Sequence, residues 1–170
     1  MFSLLKAALT VAVIVAVPAV AQAQTWRDWG EAEVRELVSV ENGTVNEVTV
    51  GETGGLEIYA TLDGWLNMVF IGTDCAGQGP TQRCKELGFN ALFEVNDTAR
   101  SLVLERELIF RFVADMADGE DYLIHRQVDL GGGAPLSNIR AQLDQFIGTG
   151  EQVSESIWPA TGGKATTKLR

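Results

Sequence analysis

Residues 66–95 read LNMVFIGTDCAGQGPTQRCKELGFNALFEV, and the order of residue types in this stretch decides the fold. Leu66 to Ile71 is apolar apart from Asn67, which predicts a central strand covered on both faces. It runs into Gly72-Thr73-Asp74-Cys75, then a turn-rich segment, Ala76 to Arg83, lets the chain reverse. After Cys84 the period is two, with Leu87, Phe89, Ala91, Phe93 and Val95 on one face and Gly88, Asn90 and Glu94 on the other. The stretch is therefore a β-hairpin with a cysteine at the base of each arm.

The pairing of Cys75 with Cys84 depends on the compartment, and the N-terminus indicates export. Lys6 precedes the uncharged run Ala7–Val17, followed by Pro18 and the small-residue site Ala21-Gln22-Ala23. That is the pattern of a secretory signal peptide over residues 1–23, and it fits better than a membrane anchor, so no stable membrane insertion is expected after cleavage. In an oxidising compartment the two thiols are expected to form a structural disulfide. The alternative, a redox or metal site, lacks a C-x-x-C motif, and two cysteines with a single histidine make a poor zinc set. Without the leader the chain carries 12 basic and 23 acidic residues, a net charge of −11, which excludes nucleic-acid and anionic-membrane partners.

Working outward, Thr25 with Asp28 predicts the start of a helix that runs to Ser39. Val45, Val48 and Val50 mark a strand, and Leu56, Ile58, Ala60 and Leu62 alternate with polar residues in the next. Asn96-Asp97-Thr98 predicts a second helix that breaks near Arg111. Two further strands, through Phe112–Met116 and Tyr122–Val128, are joined across Asp118-Gly119. A last helix carries Ile139, Leu143, Phe146 and Ile147 and is expected to stop at Gly148 and Gly150. The organisation is thus a leader (1–23), an α+β domain with helices packed on an antiparallel sheet (24–150), and a disordered tail (151–170).

Chemistry-bearing residues are sparse. His125 is the one histidine, and Asp129, on the same side of the strand, lies roughly 13 Å away at the strand rise, too far to pair with it. The expected role is a surface strand residue. Asp115, Asp118, Glu120 and Asp121 form an acidic loop that could hold calcium, although a polar hairpin turn explains it as well and the spacing is not that of an EF-hand. Gly131–Gly133 ahead of the last helix could present amides to an anion, or supply the turn that folds the helix back. No catalytic residue, metal site or cofactor is assigned.

The segment FIGTDCAGQGPTQRCKELGFNALFEV, with RFVAD, DYLIHRQVDLGGG and the closing amphipathic helix, resembles the YbjN family of bacterial sensory transduction regulators over roughly residues 31–148. The resemblance implies an exported protein of a Gram-negative periplasm and a fold similar to type III secretion chaperones, which commonly dimerise. Where family members often carry an Asn and basic residues before the Arg-Phe pair, this chain has Leu104-Glu105-Arg106-Glu107-Leu108. The expected function is a non-enzymatic binding or regulatory module acting through protein contacts with a partner not yet known. The alternative is a small-ligand or metal-binding protein using the acidic or the Gly-rich loop.

Overall fold

The alternation read between Leu56 and Leu62 is carried through into a strand whose residues are in turn buried and half-exposed along its whole length. A computed structural model describes residues 24–94, 113–115 and 121–161. The elements are β1 (Thr25–Trp26), α1 (Glu31–Val40), β2 (Thr44–Val50), β3 (Leu56–Leu62), β4 (Leu66–Ala76), β5 (Arg83–Glu94), β6 (Val113–Asp115), β7 (Asp121–Asp129), β8 (Ala134–Pro135) and α2 (Leu136–Thr161). Six strands form one antiparallel sheet in the order β2-β3-β4-β5-β7-β6, and β1 pairs with β8 in a second, small sheet. The fold is α+β, with helices packed on an antiparallel sheet.

Register places Ile58, Phe70, Phe89 and Arg126 in one row across β3, β4, β5 and β7, and Ala60, Met68, Ala91 and Ile124 in or beside the next. Both helices lie on this face. Val34, Leu37 and Val38 of α1 and Ile139, Leu143, Phe146 and Val153 of α2 are buried against it. Phe89 stands at its centre, edge-on to Phe70 at 5.7 Å and tilted against Phe146 at 5.8 Å. Burying side chains of this size removes enough apolar surface to contribute about 1.5–3 kcal/mol each, which is what fixes the helices to this side.

Two expectations are corrected. The first helix begins at Glu31, not Thr25: Thr25–Trp26 is a strand, and Trp29 makes a two-way backbone bridge with Cys84, at 2.9 and 2.8 Å, that holds this stretch extended. Gly30 then caps the helix, its N–H donating to the Glu33 carboxylate at 3.0 Å. The last helix passes through Gly148 and Gly150 to Thr161, so the first eleven residues of the expected disordered tail are helical. Val153 continues the apolar stripe of Ile139, Leu143 and Phe146, and a Cβ at Gly150 would come within 3.3 Å of Leu66, so that glycine serves close packing on the sheet rather than a stop.

Along β4, Leu66, Met68 and Phe70 are buried on the side that the described helices share, and Asn67, Val69 and Ile71 on the other side are partly buried. The expected helix at 96–111, the leader, and the tail beyond Thr161 lie outside the described residues. No helix among the described residues is long and apolar enough to cross a membrane.

Candidate functional site

The face of the sheet turned away from the two described helices is the candidate site, and register builds it strand by strand. Its central row is Glu47 of β2, Tyr59 of β3, Val69 of β4, Asn90 of β5 and His125 of β7. On one side of that row stand Glu57, Ile71, Gly88 and Gln127, and beyond them Thr73, Glu86 and Asp129. On the other side Leu92 pairs with Leu123. Val69, Ile71, Leu92 and Leu123 are half-buried here, whereas Met68, Phe70, Ala91, Phe93 and Ile124 on the other face are buried.

Polar groups between these apolar positions are tied to one another. Tyr59 donates its hydroxyl to Glu57 at 2.9 Å, and the Glu86 carboxylate accepts from Thr73 and, at 2.8 Å, from the Gln127 amide. Asn46 donates to Thr61 at 2.9 Å, and Thr61 donates to Asn67 at 2.6 Å. His125 Nδ1 donates to the Asn90 side-chain carbonyl. Apart from the Tyr59–Glu57 bond within β3, these bonds tie neighbouring strands together and hold their side chains in place.

Partial burial pushes the His125 imidazole below its ordinary value. The unfolded chain therefore takes up a proton at a higher pH than the fold does. Stability held above about pH 6.5 is lost as pH falls through that value and on through the lowered one of the folded state. His125 is the chain's single histidine, so a fall in the urea midpoint between pH 7.5 and 5.5 that disappears in His125→Gln is the expected result. An unchanged pH dependence in the variant would remove the imidazole as its source.

Elsewhere, Arg83 joins the hairpin to the start of α1, reaching Asp28 and Glu33 at 2.7 Å each. Burial raises the Glu33 carboxyl, but the hydrogen bond from Arg83 and those from backbone amides outweigh it and hold the group below the usual carboxylate range. The opposite holds at Glu41, which burial first and then Asp144 and Asp63 push upward.

Of the residues singled out from the sequence, Cys75 and Cys84 are directly opposite in the β4–β5 ladder with their sulfurs at 2.02 Å. Asp115 ends β6 opposite Leu123, and Asp121 opens β7 opposite Glu94; Asp118 and Glu120 lie outside the described residues. Among the described residues no group of three or more metal-ligating side chains converges. The Gly131–Gly133 segment forms a turn, with Gly133 N–H donating to Leu130 O at 2.8 Å, and the Leu136 N–H that opens α2 is taken by Gln24 O at 2.8 Å. His125 and Asp129 share a face without meeting, as expected.

Sequence reading missed Trp29 as the clamp on the hairpin, since nothing local signals that it meets Cys84. Comparison of the chain with protein-family models, curated proteins and solved structures finds no match.

Proposed function

We propose that this chain is a non-enzymatic binding or regulatory module of the periplasm, of the YbjN type, acting by protein contact through the sheet face opposite the helices. The observation that carries the reading is the half-exposure of Val69, Ile71, Leu92 and Leu123 on a face over which no described helix packs. Apolar positions interleaved with hydrogen-bonded polar groups match the mixed composition of protein interfaces. The leader and the paired cysteines support an exported compartment.

A photo-crosslinking side chain tests the reading in cells. At exposed Gln127 it should give discrete adducts, and at exposed Gln145, on the helix side, it should give none. Adducts from Gln145 alone, or from neither position, would sink the proposal.

A further inference from the structure

Removal of the leader at Ala21-Gln22-Ala23 leaves Gln24 as the N-terminal residue of the processed chain. Gln24 is also where the fold takes hold. Its main-chain carbonyl accepts the Leu136 N–H at 2.8 Å, and so satisfies one of the opening amides of α2 that have no acceptor within the helix. Directly after it, Thr25 pairs with Pro135 and Trp26 with Ala134, and Trp26 is buried. The backbone is therefore held from residue 24 onward, while Gln24 itself is exposed.

We propose that Gln24 of the processed protein closes to pyroglutamate. The α-amine nitrogen attacks the side-chain amide carbon Cδ, the new N–Cδ bond completes a lactam ring, and the Cδ–Nε2 bond breaks. Ammonia leaves with the proton that the amine gives up. No oxidant, reductant or co-reactant is consumed; the reaction needs only a free amine at this residue, which leader removal supplies. Two features of the fold favour the closed form. The carbonyl that holds Leu136 takes no part in the reaction, so the cap on α2 survives it. The amine belongs to the same residue as that carbonyl, so an ammonium there sets positive charge beside the positive end of the α2 dipole, whereas the lactam nitrogen is neutral. With Thr25 and Trp26 paired in β1, the blocked end offers an aminopeptidase neither a free amine nor a loose chain start.

Pyroglutamate at this position requires export and removal of the leader, and the two steps are read separately. The full-length chain is secreted with its own leader, and the processed protein is examined by intact mass and by sequencing of its N-terminal peptide. That peptide should start at residue 24, be lighter than the glutamine form by one ammonia, and resist Edman degradation until pyroglutamyl peptidase removes the ring. Gln24→Asn keeps the main-chain carbonyl, but its side chain is too short to close the ring, so this variant should show a free amine and no loss of ammonia at its N-terminus. A chain that starts at Gln24 and keeps its amine through prolonged incubation at neutral pH overturns the modification while processing stands. A start at Gln22, after the small-residue site Ala19-Val20-Ala21, or retention of the leader, overturns the processing reading and the modification of Gln24 with it.

Discussion

Trp29→Ala is expected to destabilise the fold by about 3–5 kcal/mol, the range seen when a fully enclosed large aromatic is truncated. Trp29 has no exposed surface, and its indole N–H donates to the Glu86 carbonyl at 2.7 Å. Its ring fills the space that a side chain would otherwise take at Gly72, where a Cβ would come within 2.9 Å of the ring and 2.5 Å of the Cys84 sulfur. Truncation therefore opens a cavity between β4, β5 and the start of α1, and leaves a backbone acceptor without its donor. Trp29→Phe separates the two effects: it keeps most of the volume, and the loss should shrink to about 1–2 kcal/mol, the scale of one unsatisfied group. Equilibrium urea unfolding of the three proteins measures this. A loss below about 1 kcal/mol for the alanine variant would mean that the ring is not what holds the hairpin to α1.

That residue also marks where sequence reading gives out. Strands were legible wherever one face is enclosed, since Leu56–Leu62 and Leu87–Phe93 each alternate in a way only a strand explains. The hairpin was legible because two cysteines bracket a Gly/Pro-rich turn. Trp29 was not, because the Glu86 carbonyl that it reaches is 57 residues away and carries no local mark. The true start of α1 failed for the same reason, with Asp28 engaged by Arg83 rather than by a helix amide. At the other end Gly148 and Gly150 suggested a stop, but the penalty of a glycine within a helix, about 1 kcal/mol, is smaller than what burial of Val153 against the core returns.

Removing the disulfide is the second large effect expected. Cys75 and Cys84 are nine positions apart and directly opposite in the β4–β5 register, so the bond closes a short loop at the end of the hairpin. Loop-closure entropy at this length predicts a loss of about 2.5–3 kcal/mol on reduction, most of it through a freer unfolded chain. Reduction of the native sequence and the variant Cys75→Ser/Cys84→Ala should then differ little, because Cys84 is fully enclosed and alanine leaves only a small void, whereas serine there would bury a hydroxyl. The urea m-value should rise in both, since an unfolded chain released from the cross-link exposes more surface. An unchanged midpoint on reduction would place the hairpin's stability in its packing alone. The Trp29 ring and the Cys84 sulfur crowd the same point at Gly72, so the two predictions are coupled. With the disulfide gone, the Trp29 ring and the Arg83 ion pairs are what keep the start of β5 against the start of α1, and Trp29→Ala in the reduced protein should cost more than the sum of the separate losses, by about 0.5–3 kcal/mol for neighbouring residues.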